Sequence, residues 1–275
     1  FLPYMEERRV ETLVDLTRKV LLDWRIQLAD SGKISYSTVN KVRQAVHVAL
    51  EHAAIMGTIP FNPMRNVRRV KETPKERGTY QLSELESLFA APWDDIRSYA
   101  GAMLAASTGL RLGEIRGLLV GNIHFRAGYL DVVTNYVDGE GLKPPKWDKV
   151  RRGVPIPRRV VLSLVAVMRS NPWKRYRPTD YVFYGDYPGK PIAKHIMTRS
   201  LRARCKAVGV AYRDFHSLRH TAASLYAPGA GSDVVQRILG HTTPAMTDHY
   251  THVTEETVTS LRRVQDSVWN LNGDQ

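Results

Sequence analysis

Hydrophobic residues spaced three or four positions apart mark two helices at the start of the chain. The first predicted helix covers residues 1–30 and ends at a Ser-Gly pair. The second covers about 36–56, with Ser35 or Ser37 as its N-cap. The apolar stripe of the second helix consists of Val39, Val42, Val46, Ala49, Leu50 and Ala53.

A proline-containing and strongly basic stretch separates these helices from the rest of the chain. Pro60, Pro63 and Pro74 occur there with the run RNVRRVKETPKERG, a composition that is typical of a connecting segment. We therefore expect a small helical domain over 1–72, a linker over 73–80 and a larger domain over 81–275.

The larger domain is predicted to be mainly α-helical with one small antiparallel β-sheet. Helical periodicity places helices at 82–90, 95–108, 114–119, 158–169, 191–207, 214–226 and 254–270. Alternating hydrophobic and polar residues predict strands at 122–125, 129–137 and 151–156. The stretch 180–184 fits either a short strand or a buried connection.

The charge of the chain favours a nucleic-acid partner. Its 275 residues include 40 Lys and Arg and 27 Asp and Glu, which gives a formal net charge of +13. Such an excess is typical of proteins that bind nucleic acid, although charge alone fits a merely soluble basic protein equally well. Both predicted domains have a positive excess, so both are candidates for contact with a phosphate backbone.

The cysteine count and the lack of a long apolar run exclude several classes of protein. Cys205 is the single cysteine, so a disulfide within one chain is excluded and a cysteine-rich zinc site is disfavoured. No stretch resembles a signal peptide or an apolar run of 18 residues, so we expect a cytoplasmic protein. The chain begins at Phe1 rather than Met, and the sequence leaves open whether an N-terminal domain is missing.

Two histidines, two arginines and a tyrosine form the candidate site. His216 and Arg219 are three residues apart, so they share one face of the predicted helix. His241 follows a Leu-Gly pair, and Tyr250 comes nine residues after it. Far upstream, the segment TGLRLGEIRGL contains Arg111. A tyrosine combined with these cations suggests attack by a phenol on a phosphodiester.

These residue types suit that reaction. The transition state spreads negative charge over the phosphate oxygens, and a guanidinium can bind two of these oxygens at once while staying charged. A histidine can donate to phosphate or take a proton near neutral pH. A phenol has an unperturbed pKa of about 10, so it needs nearby cations or a base to act as a nucleophile at neutral pH.

At these residues the chain resembles the tyrosine recombinase (phage integrase) family. The matching motifs are TGLRLGEI, HSLRHT and LGHTTPAMTDHYTHV with a basic hairpin, in the family's order over roughly 80–255. The resemblance implies an enzyme that uses neither a metal ion nor a cofactor. It implies the following roles: Arg111 and Arg219 clamp the scissile phosphate, Tyr250 is the nucleophile, His216 and His241 assist, and Glu114 orients Arg111.

Tyr250 is preferred among thirteen tyrosines because it stands at the family's distance after the Leu-Gly-His segment. Tyr212 and Tyr226 lie near the His-x-x-Arg segment and are the rivals. His249 and His252 flank Tyr250 and resemble metal ligands. Since no carboxylate cluster and no second cysteine accompany them, we expect no metal site.

The basic segment 143–159 carries the remaining candidate for catalysis. In the family, a β-hairpin here carries a lysine that protonates the leaving 5′-oxygen. Aligning backwards from Val154-Pro155 places that lysine at Lys146, with Lys149 and Lys143 as rivals. Alternatively, all these cations contact phosphates without a catalytic role, which would position the protein without reading sequence.

The resemblance also implies partners. We expect double-stranded DNA with inverted half-sites, gripped by a C-shaped clamp of the two domains, and a homotetramer on two duplexes. The helix 254–270 would swap onto a neighbouring protomer, or else pack on its own domain. A directionality or host bending factor is a further candidate partner. The residues predicted to bind DNA are Lys41 and Arg43, which should lie off the apolar stripe of their helix, and Lys143, Lys149, Arg151, Arg152, Arg199 and Arg202.

The sequence predicts a site-specific DNA recombinase that acts on DNA in a bacterial cell. Cutting and rejoining would proceed through a 3′-phosphotyrosine and a Holliday junction, and the divergent hairpin favours integration and excision of a phage or mobile element. Three alternatives stay open. They are a recombinase that resolves chromosome dimers, a type IB topoisomerase, and a DNA-binding regulator with an idle active site.

Overall fold

The chain folds into two compact units, Phe1–Glu76 and Arg77–Gln275. The structure is a computed structural model. It describes residues 1–71, 78–145, 150–174, 176–230 and 263–269, with only the backbone at 151, 152 and 227–230. Within these residues no helix is long and apolar enough to cross a membrane. The predicted domain limits remain predictions.

Unit 1 is helical in the residues described. Its elements are α1 (Leu2–Glu7), a 3₁₀ turn (Leu13–Asp15), α2 (Arg18–Asp30) and α3 (Tyr36–Ile55). The prediction of one helix over 1–30 is therefore wrong. Arg9 has a left-handed backbone with φ of 56° just after α1. Asp15 then accepts the backbone N–H of Thr12 at 2.9 Å, and Thr17 accepts a backbone N–H as the N-cap of α2. These local hydrogen bonds provide partners for backbone groups in a turn, which replaces a continuous helix.

Helix α3 begins where predicted and buries two polar residues. Its N-cap is Ser35, whose hydroxyl accepts a backbone N–H at 3.2 Å. Arg43 is only 8% exposed and donates from Nε to the carbonyl oxygen of Val67 at 2.6 Å. The neighbouring Asn40 bonds to both backbone groups of Val70. The prediction that Arg43 lies off the buried stripe is therefore wrong, because the chain that follows α3 folds back onto this helix.

Unit 2 is built around one buried helix. Its helices are α4 (Leu82–Phe89), α5 (Ile96–Thr108), α6 (Leu112–Arg116), α7 (Arg158–Arg169), α8 (Lys194–Ala207) and α9 (Phe215–Ala230). Every residue of α5 from Ala100 to Thr108 is buried, and α7, α8 and α9 pack against it. A methyl group at Gly101 would lie 2.1 Å from Met197 Cε, so the small residues of α5 allow this close packing.

Unit 2 also contains two small antiparallel sheets rather than the single predicted sheet. Their strands are β1 (Ile123–His124), β2 (Tyr129–Val132), β3 (Asn135–Val137), β4 (Gly141–Lys143) and β5 (Arg151–Pro155). One sheet has the order β1-β2-β5, and the other pairs β3 with β4. The predicted strand 129–137 is thus divided in two. The fold is mainly helical with small antiparallel sheets, which confirms the predicted class.

The β3–β4 hairpin leaves the first sheet because it packs on α6. The hydroxyl of Thr134 donates to the carbonyl oxygen of Gly117 at 2.7 Å. A side chain at either nearby glycine would collide with the hairpin, since an added Cβ would lie 2.2 Å from Asn135 Oδ1 at Gly113 and 2.9 Å from Tyr136 N at Gly117. Hairpin and helix are therefore in direct contact.

The C-terminal residues 263–269 are helical and pack on unit 2. Trp269 is buried, and its Nε1 donates to the hydroxyl of Tyr226 at 2.7 Å. Gln265 Nε2 donates to the carbonyl oxygen of Ser107 at 2.9 Å, at the end of α5. The remainder of the predicted helix 254–270 lies outside the described residues, and its exchange between protomers stays a prediction.

Candidate active site

The turn between α5 and α6 presents Arg111. Helix α5 ends at Gly109, whose φ of 65° is the left-handed conformation that glycine tolerates best. Arg111 then forms the N-cap of α6. The backbone N–H of Arg111 donates to Glu114 Oε2 at 2.7 Å, and its Nη1 donates to Glu114 Oε1 at 2.8 Å. One carboxylate thus holds both the backbone and the guanidinium of this arginine.

Glu114 is almost fully buried, whereas about a third of the Arg111 side chain is exposed. A buried carboxylate is costly unless it is paired and hydrogen-bonded, and here both conditions are met. The pair therefore fixes the inner edge of the guanidinium and leaves its outer edge at the surface. A phosphate oxygen could bind to that outer edge. This geometry fits the predicted role of Glu114 as the residue that orients Arg111.

Arg219 reaches the same turn from α9. It is 2% exposed, and its Nη1 donates to the carbonyl oxygen of Gly109. Gly109 and Arg111 are separated by one residue, so the bond brings the two predicted phosphate-binding arginines to one turn although 108 positions separate them in sequence. Buried and oriented guanidinium groups suit the binding of an oxyanion.

His216 lies on α9 one turn before Arg219 and is partly buried. Its ring contacts that of His220 edge-on, with the centroids 4.6 Å apart. His220 was not predicted as part of the site. The signal was present in the sequence, because residues four apart on a helix lie on one face. The two histidines flank Arg219 in the sequence of α9.

The structure removes one rival for the role of nucleophile. Tyr226 is buried in the core, where its hydroxyl accepts from Trp269. Burial raises the pKa of this phenol above its ordinary value, which disfavours the phenolate needed for attack. Tyr212 is exposed in the connection between α8 and α9, and the guanidinium of Arg202 lies over its ring, 4.6 Å from the centroid.

The predicted DNA-binding residues that are described fall into two groups. Lys41, Arg199 and Arg202 are exposed, and the two arginines lie on one face of α8. Lys143 is also exposed and pairs with Glu140 at 3.3 Å, whereas Arg43 is buried within unit 1. Exposed cations remain available for phosphate contacts, whereas a buried arginine has a structural role in its own unit.

Several predicted residues fall where the structure gives no account of the side chain. Lys146, Lys149, His241 and Tyr250 lie outside the described residues, and for Arg151 and Arg152 only the β5 backbone is described. In the part of the chain that is described, no group of three or more His, Cys, Asp or Glu side chains could hold a metal ion. The described part of the site is therefore an arrangement of two arginines, a carboxylate and two histidines.

The comparison with known sequences decides which family this arrangement belongs to. The model of the phage integrase family matches residues 80–257, which is more than half of the chain. The chain belongs to the phage integrase family. Members of this tyrosine recombinase family catalyse the cleavage and rejoining of DNA, so the chain is an enzyme of that class.

Relatives among known tyrosine recombinases match over most of the chain. It is 27% identical over 252 residues to the tyrosine recombinase XerD of Halalkalibacterium halodurans, covering 88% of this chain and 79% of that one. It is 24% identical over 267 residues to the tyrosine recombinase XerC of Listeria monocytogenes, covering 93% and 84%. The similarity thus extends beyond the catalytic motifs.

Solved integrase structures share the fold. The Tn1549 transposon integrase, in complex with transposon right end DNA, matches with a TM-score of 0.67 and 20% identity over 90% of this chain and 85% of that one. A lambda integrase tetramer bound to a Holliday junction matches with a TM-score of 0.62 and 20% identity over 91% and 73%. At this level of identity the likeness establishes the fold.

In this tyrosine recombinase, Glu114→Gln is expected to slow DNA cleavage about 10- to 100-fold while DNA binding is retained. The amide keeps one acceptor but turns an NH₂ group towards the Arg111 donors, which misplaces the guanidinium. The free energy of unfolding should fall by about 1–3 kcal/mol. Single-turnover cleavage and denaturant unfolding measure the two effects.

The matched control for this change is Glu84→Gln. Glu84 also accepts a backbone N–H at the start of a helix, at 2.8 Å from Gln81, and an arginine donor, at 3.0 Å from Arg213. Glu84→Gln should lower the free energy of unfolding by a similar amount without slowing DNA cleavage. Equal cleavage rates in both variants would exclude an orienting role for Glu114.

Proposed function

We propose that the chain is a site-specific DNA recombinase that integrates and excises a phage or mobile element. It would bind inverted half-sites in double-stranded DNA, in the cytoplasm of a bacterial cell. The observation that carries the proposal is the meeting of Arg219 and Arg111 at the turn of Gly109, with Glu114 behind them. Two guanidinium groups held at one turn match the needs of a scissile phosphate.

The proposed reaction begins with the hydroxyl of Tyr250. The phenol oxygen attacks the phosphorus, the bond to the 5′-oxygen breaks, and a 3′-phosphotyrosine forms. Lys146 gives a proton to the departing 5′-oxygen, while His216 and His241 assist by hydrogen bonding and by taking the proton that the phenol loses. A 5′-hydroxyl from another strand then attacks the phosphotyrosine and frees the tyrosine. The energy of the broken bond is kept throughout, so neither a cofactor nor a metal ion is needed.

The two arginines would act on the charge that develops during this step. Because both are held by buried acceptors before DNA arrives, little reorganisation is needed when the phosphate binds. The exposed cations Lys41, Arg199 and Arg202 would contact phosphates or bases along the duplex, and the helical residues 1–72 would form a DNA-binding domain. The basic residues Lys143, Lys149, Arg151 and Arg152 complete the proposed contacts.

Recombination would take place in a homotetramer on two duplexes. The segment that contains Trp269 and Gln265 would supply the link between protomers by making its contacts on a neighbour. Such an exchange costs little, since the same contacts are made in either arrangement. A directionality or host bending factor is a further proposed partner.

A covalent-trapping experiment tests this function. A duplex selected from a random library for tight binding would be nicked near the cleavage point, incubated with the chain and run on a denaturing gel. A band that retains both protein and DNA, and that persists in EDTA, is the expected result. Bound DNA without a covalent product would instead favour an idle DNA-binding regulator.

The relatives favour a second candidate, the resolution of chromosome dimers, since both are Xer recombinases. Recombination assays on supercoiled plasmids separate the possibilities. Efficient exchange between two identical copies of the selected site, with no further factor, favours dimer resolution. Exchange that requires two different sites or an added factor favours integration. Relaxation of a plasmid that lacks the site would indicate a topoisomerase.

Binding to DNA is expected to weaken steeply with salt. Each neutralised phosphate releases counterions, so six to ten phosphate contacts would lower affinity roughly 10³- to 10⁵-fold between 50 and 200 mM salt. Fluorescence anisotropy with a labelled duplex measures the slope. A double variant, Arg199→Gln with Arg202→Gln, should reduce the magnitude of the slope of log affinity against log salt concentration by about 2. An affinity that does not depend on salt contradicts backbone binding.

A further inference from the structure

Arg116 is a buried arginine that joins three parts of unit 2. It is the last residue of α6 and is 4% exposed. Its Nε donates to the carbonyl oxygen of Ile192 at 2.8 Å, just before α8. Its Nη1 and Nη2 donate to the two carboxylate oxygens of Asp138 at 3.0 and 2.6 Å. All three guanidinium nitrogens therefore have partners.

Asp138 lies at the turn of the β3–β4 hairpin, and its side chain is 65% exposed. The hydrogen bonds from Arg116 hold the pKa of this carboxyl below its usual range. The guanidinium also lies over the ring of Tyr136, 4.9 Å from its centroid, and that ring contacts Tyr181 edge-on. An ion pair and a cation–π contact thus fix the hairpin to the end of α6.

The same hairpin leads into the basic segment. Strand β4 ends at Lys143, and Pro145, the last residue described before 146–149, is buried. At the other end of the hairpin, Thr134 bonds to the end of the helix that begins after Arg111, and Gly113 and Gly117 leave room for β3 to approach it. The place from which the chain enters the basic segment is therefore set relative to Arg111.

We propose that Arg116 is a positioning residue for strand cleavage, which fixes the β3–β4 hairpin so that the basic segment delivers its acid to the leaving 5′-oxygen. The inference rests on the proposed function, in which that acid is Lys146. Arg116 itself touches neither DNA nor the reacting atoms in this role. Its effect passes through Asp138 and the hairpin.

An arginine is required for this task because of its shape. One planar fork binds both oxygens of Asp138 while the third nitrogen reaches a carbonyl in a different direction. A lysine has one nitrogen at the end of a flexible stem and cannot make all three bonds in these directions. Displacement of an acid by about 1 Å can lower a rate about 100-fold. Loss of the guanidinium of Arg116 is therefore expected to slow the departure of the 5′-oxygen.

The test compares cleavage of two suicide duplexes that differ in one atom. In one, the scissile phosphate carries the ordinary 5′-oxygen. In the other, sulfur replaces that oxygen and leaves without needing a proton. Both duplexes have the sequence that was selected for tight binding. The position of the scissile phosphate is identified beforehand from the DNA end that becomes covalently attached to the protein. Arg116→Met and the surface change Asp138→Ala should each slow oxygen-substrate cleavage about 10- to 100-fold, and the sulfur substrate should restore the rate to within about threefold of wild type.

Arg97→Met is the matched control. Arg97 also pairs with an aspartate, Asp95 at 2.7 Å, and lies over a tyrosine ring, Tyr184 at 5.1 Å, but does not touch the hairpin. For Arg97→Met, the ratio of the cleavage rates on the sulfur and oxygen duplexes should equal the ratio for wild type. Equal slowing on both substrates by Arg116→Met and Asp138→Ala, or no slowing at all, overturns the positioning role.

Lys146→Ala shows separately whether the proposed acid is correct. Rescue of Lys146→Ala without rescue of the Arg116 and Asp138 variants refutes the inference alone. Rescue of the Arg116 and Asp138 variants without rescue of Lys146→Ala supports the inference and assigns the acid to another residue of the segment, such as Lys149. If no variant is rescued, both the inference and the proposed acid are wrong.

Discussion

Tyr250→Phe is expected to abolish the covalent complex with DNA, with a loss of cleavage on the order of 10⁴-fold or more. Phenylalanine keeps the ring but lacks the oxygen that attacks the phosphorus. Because the hydroxyl is the only group removed, binding to the same duplex should stay within about twofold of wild type. A denaturing gel for the covalent product and anisotropy for binding measure the two properties.

The rival tyrosines provide controls of the same chemistry. Tyr226→Phe should lower the free energy of unfolding by about 1 kcal/mol, since Trp269 Nε1 loses its acceptor, and should leave cleavage intact. Tyr212→Phe should change neither property. In the wild-type complex, mass spectrometry should find the nucleotide on the tryptic peptide 238–262, in which Tyr250 is the only tyrosine. A covalent product from Tyr250→Phe would move the role of nucleophile to another residue.

Arg219→Ala is expected to lower the cleavage rate about 10³-fold while the duplex is still bound. The guanidinium supplies positive charge where the transition state gathers negative charge, and alanine supplies none. The same loss is expected for Arg111→Ala. Binding persists because many phosphates outside the scissile position contribute to affinity.

A stability control is needed, because Arg219 is also a buried donor to Gly109. Alanine leaves that carbonyl without its donor, which costs about 1–3 kcal/mol. The loss of charge at the phosphate and the loss of the bond to Gly109 can be distinguished with a modified DNA. In this DNA, a methyl group replaces one non-bridging oxygen of the scissile phosphate. That phosphate is neutral and needs less cationic stabilisation, so the ratio of wild-type to variant rates should shrink. An equal deficit on both substrates would mean that Arg219 acts only on the fold of the turn.

Local patterns were sufficient for the elements whose signals lie in neighbouring residues. Helix α7 has the predicted bounds 158–169 because apolar periodicity and the following Asn-Pro pair both mark it. Helix α5 ends at the predicted residue, Thr108, since the left-handed turn that follows is formed by Gly109. The bond between Glu114 and Arg111 is likewise local, with a separation of three residues.

Features that depend on distant partners could not be predicted. The burial of Arg43 requires the chain around Val67 to fold back, and no local pattern specifies that return. The break after β2 arises from contacts with α6. The bond between Arg219 and Gly109 spans 110 residues, so the sequence indicated their proximity only through the family resemblance. Periodicity also does not separate the short elements of residues 1–30, because bonds within turns compete with a helix there.

Gly113 in α6 and Gly117 just after it impose an order on how this domain can change during evolution. Gly113 and Gly117 face the β3–β4 hairpin so closely that neither can gain a side chain while the hairpin stays in place. A lineage that loses the hairpin frees both positions, and larger residues can then accumulate there. Once they have done so, the hairpin cannot be regained in one step. Loss is therefore easier than recovery, and the hairpin and the two glycines are expected to be inherited together.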